Sequence, residues 1–268
     1  MTTHPSVDPR EALIDELIAL APHEERLVVL DADVSRTSRT RRFRDAFPAR
    51  FYDVGVAEQN LFGIAAGLAA TGRIPVAVTF AIFAALRAAE PIRTSICYPR
   101  FNVKIVGGYA GLSNAKDGAT HQSLEDVAVM RSFAHLVVLA PSDAVLARKA
   151  MRAALAHAGP VYLRVEYESV PVVHGEDTVF AIGKGYRVRE GTDVTLASYG
   201  VALARTLAAA DALARRGIRA EVLDLPSLKP FDGGLLLESA RKTGAIVSLE
   251  DPSAIGGLGS IISEALVQ

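Results

Sequence analysis

The strongest constraint on this chain is a rhythm. Short apolar runs recur along it, each closing on Asp, Gly or Pro, and Ala-rich helical stretches separate them. Leu27–Leu30 ends in Asp31-Ala32-Asp33, Phe51–Val54 is a short run, and Pro75–Phe80 leads into a helix over 83–96. Val103–Val106 opens a Gly/Ser/Asn/Asp-rich loop over 107–121, Leu136–Ala140 stops at Pro141, and Val161–Val165 follows a helix over 143–157. Runs of this length with helices between them build a parallel sheet covered on both faces. Asp8-Pro9-Arg10-Glu11 is a helix start, with Asp as N-cap, Pro at the first position and Glu at the third. Helices are also predicted over 57–70 and 124–131. Open α/β sheets bind ligands outside the carboxyl ends of their strands, so the polar loops there are the places to search.

The rhythm breaks over 166–190, where Pro171, Gly175 and charged residues intervene. It resumes as strand 193–198, helix 201–215, strand 219–224, helix 232–242, strand 245–250 and helix 259–267. The expected fold class is α/β with two domains, each a mainly parallel sheet flanked by helices. Domain one is 1–170, the linker 171–190, and domain two 191–268, a small unit of three strands and three helices. Two domains also suit 268 residues at the usual ~100–200 each.

Composition excludes several function classes. Half the residues are hydrophobic, ample for buried cores and contrary to disorder. Lys+Arg is 29 against 30 Asp+Glu, so the basic surplus of a nucleic-acid binder is missing. No run reaches the ~18 apolar residues of a membrane span. MTTHPSVDPREALIDEL lacks the basic start and apolar block of a signal peptide. The lone Cys97 cannot form an internal disulfide. The expectation is a soluble cytoplasmic protein, with no nucleic-acid or membrane partner and with apolar surface to spare for a subunit interface.

Four places could carry chemistry. Glu58 precedes an almost wholly apolar helix. Its carboxylate either favours the positive helix end or is a partly buried carboxyl with raised proton affinity. Asp117 and His121, four apart beside Gly118, form either an active-site loop or an Asx turn with a capping His. Phe80 and Phe83 close a strand and enter a helix, as core or as a ring platform. Gly256-Gly257-Leu258-Gly259 precedes a helix as a phosphate loop does. It lacks a full G-x-G-x-x-G and a P-loop Lys, so a plain turn fits better. The six His are scattered, and neither H-E-x-x-H nor G-x-S-x-G occurs.

In order along the chain, LDADVS, FYDVGVAEQNLFGIAAGLAATG, VTFAIFAALRAAEPIR, NVKIVGGYAGLSNAKDGATHQSLEDVAVMR, APSDA, GPVYLR, IGKGYRVREGTDVTLASYG and LEDPSAIGGLGS resemble the carboxy-terminal half of transketolase. More closely, they resemble the second subunit of a split, two-chain transketolase. The match runs from about residue 8 to 268. It implies a pyrimidine-binding domain followed by a transketolase carboxy-terminal domain, and a thiamine diphosphate cofactor with Mg2+. On this resemblance Glu58 falls on the glutamate that hydrogen-bonds N1′ of the aminopyrimidine. There a carboxyl promotes the imino tautomer that removes the thiazolium C2 proton. Phe80 and Phe83 fall where aromatics stack on the pyrimidine, and Leu86 occupies a third such position. Asp33 falls near the thiazolium side. His121 matches a histidine beside the reacting carbonyl, and Asp117 an aspartate that reads a substrate hydroxyl.

The family's GDG…N motif for Mg2+ and diphosphate does not occur here. The resemblance therefore implies a partner: an amino-terminal transketolase subunit carrying that motif, in an α2β2 heterotetramer with the active site between chains. It also implies unusual substrates. Transketolases commonly grip the sugar phosphate with a His eight residues before the loop Asp and an Arg after the GPVYLR-like strand. Tyr109 and Tyr167 take those places, and Lys116 replaces a common Glu. Tyrosine cannot replace the charge of a bidentate Arg. Arg164, Arg36, Arg39 and Arg41 are the basic residues left to compensate. The implied reaction is transfer of a two-carbon ketol unit from a ketose to an aldehyde. An E1 β-type subunit of a 2-oxo acid dehydrogenase and a non-catalytic scaffold are the alternatives. DGATHQ speaks against the first, and Glu58 with His121 against the second.

Overall fold

The computed structural model describes residues 6–267. Along the chain, β1 (Ser6–Val7) precedes α1 (Pro9–Leu20), β2 (Leu27–Asp31), α2 (Arg41–Ala46), β3 (Phe51–Asp53), α3 (Glu58–Ala70) and β4 (Ile74–Phe80). Next come α4 (Ala89–Pro91), β5 (Lys104–Gly108), α5 (Asp126–Ser132), β6 (Val137–Leu139), α6 (Ala144–Ala156), β7 (Val161–Arg164) and β8 (Val170–Pro171). The remainder is β9 (Tyr186–Arg189), β10 (Val194–Ser198), α7 (Ala202–Ala214), β11 (Ala220–Asp224), β12 (Ser227–Lys229), α8 (Gly233–Thr243), β13 (Ile246–Leu249) and α9 (Leu258–Val267).

The large sheet has the order β12-β6-β7-β5-β4-β2-β3. All its pairings are parallel except β12 on β6. Its central strands are buried on both faces, as continuous Val/Ile/Leu runs require. On one face α1 and α6 cover Leu27, Val29, Val76, Val78 and Val161. On the other, α3 covers Val28, Leu30 and Ala77, and the same apolar core continues into Leu223, Leu236 and Ile261. Asp8 caps α1 by accepting the Arg10 N–H at 2.9 Å, as its sequence position predicts.

The second sheet has the order β13-β10-β11-β9. Two expectations about this half are corrected. The 171–190 segment is not all linker, because Tyr186–Arg189 pairs antiparallel with β11 as an edge strand. Its alternating YRVR gave no buried run to read. The unit also holds four strands rather than three, and a further one, β12, leaves it to pair with β6 in the large sheet. The halves thus share a strand as well as a core. Among the described residues, no helix is long and apolar enough to cross a membrane.

Candidate active site

The predicted residues gather at the carboxyl edge of the large sheet. Phe80 ends β4, Tyr109 follows β5, Asp33 follows β2, Glu58 follows β3, and Tyr167 lies three residues past β7. The rings form a chain. Phe80 stacks on Phe83 at 5.9 Å between centroids and on Tyr109 at 4.6 Å. His121 stands edge-on to Phe80 at 5.8 Å and to Phe83 at 5.2 Å. Tyr109 continues the chain to Tyr167 at 4.7 Å. Offset and edge-to-face contacts of this kind hold rings in place beyond simple burial. His121 Nδ1 is 2.9 Å from the Thr120 hydroxyl, which fixes its ring. Asp117 is exposed on the same loop. Asp33 is exposed in the left-handed region at φ 59, its N–H donating to Asp53 Oδ1 at 3.1 Å.

Glu58 is 3% exposed and opens α3. It accepts from Arg87 Nη1 at 3.3 Å, and the Arg87 guanidinium lies 4.4 Å from the Phe83 ring centre. The local backbone explains Arg87. Pro91 has no N–H, so the Arg87 carbonyl cannot receive its ordinary helical bond. Gln59 supplies the donor instead, Nε2 to Arg87 O at 3.1 Å. The helix widens there, with Ala88 N–H reaching back five residues to Phe83 O, a turn type common at functional sites. Leu86 and the Arg87 side chain are each 52% exposed, so this end of the ring chain is open.

At the other end lies Arg10, which nothing in its sequence context marks as a site residue. It is buried, its guanidinium 4.4 Å from the Tyr167 ring centre and 5.2 Å from that of Tyr109. Asp8 holds Nη2 at 2.7 Å and Nε at 3.0 Å, and the Thr37 carbonyl holds Nη1 at 2.8 Å. Burial opposes the charge on Arg10, but Asp8 outweighs it and the pKa is raised. Burial likewise raises the Tyr109 phenol against the pull of Arg10, so it remains a neutral donor. Asp31, at the end of β2, is raised to about 6, chiefly by burial, against hydrogen bonds from Thr40, Val34 and Ser38. Only spatial proximity reveals Arg10, since in sequence it reads as an ordinary first-turn residue.

One expectation fails here in part, that of basic residues left to compensate. Arg164 is fully buried and paired with Asp126, Glu166 and Asp251, so it is unavailable to a substrate. Arg39 and Arg41 are likewise engaged, Arg39 with Asp8 and Glu11 and Arg41 with Asp45, whereas Arg36 is exposed and makes no ion pair among the described residues. The glycine cluster is a strand-to-helix turn, the reading its sequence favours, and not a phosphate loop. Glu250 fills the amino end of α9, accepting the Leu258 N–H at 2.6 Å and the Gly259 N–H at 3.0 Å. No group of His, Cys, Asp or Glu among the described residues is arranged to hold a metal ion.

Residues 6–172 match the transketolase pyrimidine-binding domain, and residues 183–268 the transketolase carboxy-terminal domain. A 6-deoxy-6-sulfo-D-fructose transketolase subunit of Clostridium sp. strain MSTE9 is 43% identical over 257 residues, covering 96% of this chain and 80% of that protein. One subunit of the apulose-4-phosphate transketolase of Phocaeicola vulgatus is 35% identical over 258 residues, covering 96% and 83%. A split-gene transketolase solved as an inactive β4 tetramer superposes with a TM-score of 0.90 at 46% identity, covering 98% of this chain and 86% of that one.

Proposed function

Because the chain belongs to the transketolase family, we propose that it is the pyrimidine-side subunit of a split transketolase, transferring a two-carbon ketol unit to an aldehyde acceptor. The observation that carries this reading is the continuous wall from Glu58 through Arg87, Phe83, His121, Phe80 and Tyr109 to Tyr167. Its residues suit thiamine diphosphate. A buried carboxyl stands beside stacked rings on an open edge, the donor set an aminopyrimidine needs. When bound, that cofactor supplies the carbon nucleophile that the side chains cannot.

The roles then divide by chemistry. Phe80, Phe83 and Leu86 hold the pyrimidine by contact. Glu58 holds a proton at pyrimidine N1′. Its pair with half-exposed Arg87 is worth about 1 kcal/mol or less, which leaves the carboxylate free to change partner. His121 donates to or accepts from the oxygen at the reacting carbon. Asp117 orients a substrate hydroxyl, and Asp33 lies toward the thiazolium. Mg2+ and the diphosphate belong to an amino-terminal partner subunit with a GDG motif, in an α2β2 assembly. The inactivity of the similar split-gene β4 tetramer supports that division. We assign residues 1–170 to the pyrimidine-binding domain and place the enzyme in the cytoplasm, where the single buried Cys97 stays reduced.

Tyr109 and Tyr167 support a non-standard substrate, and Arg10 refines its chemistry. One guanidinium already matched by Asp8 gives a distal pocket of about zero net charge, lined by two phenols. Two relatives act on sugars with a distal anion, a sulfonate in one and a phosphate in the other. Arg10 is the residue here that would meet such a group. The decisive experiment is hydrogen–deuterium exchange at thiamine C2, in the assembled enzyme and in this chain alone. Exchange is expected in the assembly, absent from the single chain, and lost in the Glu58→Gln assembly. Unchanged exchange in that variant removes Glu58 from the mechanism.

A further inference from the structure

Arg164 sits at the carboxyl end of β7 within a buried cluster drawn from both halves of the chain. Asp126, at the start of α5, accepts from Nε at 3.0 Å and from the Tyr162 hydroxyl at 2.8 Å. Glu166 accepts from Nη1. Asp251, in the loop after β13, lies 3.1 Å from Nη2. Three carboxyl groups face one guanidinium, and all four side chains are at most 8% exposed. Asp251 Oδ2, Asp126 Oδ1 and Arg164 Nη2 have no hydrogen-bond partner among the described residues. A buried cluster with excess charge and unmet groups is poor evidence of a device for stability alone.

What it touches is informative. A Cβ on Gly111 would lie 1.6 Å from Asp251 Oδ2, and one on Gly200 would lie 2.4 Å from Glu166 Oε1. Both glycines have positive φ, +65 and +57, so only glycine admits these approaches easily. Gly111 lies two residues from Tyr109. It also exchanges backbone bonds with Ser123, at 2.9 and 3.2 Å, two residues from His121. Glu166 directly precedes Tyr167, whose N–H is held by the Ser113 hydroxyl at 3.1 Å. Each substrate-side residue is thus one or two positions from the cluster or from a residue bound to it.

We propose that Asp251, contributed by the carboxy-terminal unit, is a positioning residue for the substrate wall: through Gly111 and Arg164 it fixes the loop bearing Tyr109 and His121 against the strand end bearing Tyr167. The inference rests on the reading of those three residues as substrate-facing. It gives the carboxy-terminal unit a task in turnover although it supplies none of the wall residues.

The test uses the assembled enzyme with Asp251→Asn, and with Asp251→Ala as a second variant that removes a carboxylate from a cluster holding too many. Tyr109→Phe and His121→Ala serve as direct-contact controls. The readouts are KM, kcat, C2 exchange and thermal midpoint. Asp251→Asn is expected to lower kcat/KM about ten- to a hundredfold, carried by KM, with C2 exchange unaltered. A parallel loss of C2 exchange, an unchanged KM, or failure of both Asp251 variants to assemble marks the residue as structural and overturns the proposal. If the Tyr109 and His121 controls leave KM unmoved, the substrate wall is misassigned and the inference falls with it. If they raise KM and Asp251→Asn does not, the inference alone falls.

Discussion

Two helix starts in this molecule each involve a glutamate, and they use it in opposite ways. At α9 the carboxylate of Glu250 comes from the preceding strand end and accepts two backbone N–H groups of the first turn. It stands where a phosphate would in a phosphate loop. At α3, Glu58 is itself the first helical residue, and its carboxylate turns away from the backbone toward Arg87 and the ring wall. A carboxylate saturated by the first turn of its own helix, as half-buried Glu250 is, has no capacity left for a ligand. One held by a single half-exposed cation retains it. The difference lies in the partners, because each glutamate serves the start of an apolar helix.

The most forceful way to break this comparison is Glu58→Gln. Gln keeps the shape but cannot hold the proton. Proton transfer of this kind contributes about 10²–10⁴-fold, so turnover should fall by that factor while the assembly stays intact. An assembly that still turns over at more than about a tenth of the wild-type rate would make Glu58 a second Glu250, an ornament of its helix.

Next in size is the distal end of the wall. A charged hydrogen bond contributes roughly 1.5–3 kcal/mol. Two missing cationic contacts would cost about 10²–10⁴-fold in kcat/KM for a phosphorylated substrate, and Arg10, already matched by Asp8, offsets at most one of them, so at least about 10–10²-fold remains. Tyr109→His with Tyr167→Arg should recover that factor in matched phosphorylated and unphosphorylated substrates. A wild type that already prefers the phosphorylated member strongly, with no response to the double change, sinks the specificity reading.

The sequence displayed the sheet because its strands are unbroken apolar runs, such as Leu27–Leu30 and Val161–Leu163, and those need cover on both faces. It concealed β12, whose Ser-Leu-Lys has no period and whose partner β6 lies some ninety positions earlier. It concealed β9 because a half-exposed edge strand can carry Arg at alternate positions. Among the proposed site residues, Glu58, the phenylalanines and the loop histidine are suggested by motif order alone. Arg10 and Arg87 are not, because each acts through space, one over two tyrosines and the other beside a glutamate 29 positions away. Arg164 misled for the opposite reason. Closeness to Tyr167 in sequence implied a shared site, whereas its side chain turns into the carboxylate cluster.

That cluster offers a smaller test, in stability rather than rate. Burial, reinforced by Asp251 and Asp126 and opposed by Arg164, pushes the Glu166 carboxyl up to about 8. Its folded pKa exceeds its unfolded value, so its stabilising proton is fully present below about pH 4.5 and is lost as pH rises through about 8. Asp31 has the same sign but is spent by about 6. Lys104, lowered to about 7 by burial, has the opposite sign above that pH. The informative quantity is therefore the difference between wild type and Glu166→Gln from about pH 6.5 to 8. Wild type should lose up to about 2 kcal/mol more than the variant over that window. Parallel curves would show that Glu166 is ionised throughout.

The smallest expected effect belongs to the other arm of the comparison. Glu250→Gln retains one side-chain oxygen for the first turn of α9 but presents an amide N–H₂ where a second acceptor stood, so one backbone N–H loses its partner. Loss of a helix-start acceptor costs about 1 kcal/mol. That corresponds to a fall of roughly 2–4 °C in thermal midpoint for a domain of this size. Glu250 also lies 3.4 Å from the Tyr199 hydroxyl, a contact too long to add much. Thiamine C2 exchange and KM should stay at wild-type values, because the carboxylate's partners, the two N–H groups and the Tyr199 hydroxyl, all lie outside the ring wall. An assay at matched temperature, well below both midpoints, separates the effects. A drop in C2 exchange comparable with that of Glu58→Gln would erase the distinction between the two helix starts. A drop in thermal midpoint alone preserves it: one glutamate closes a helix, the other faces the reaction.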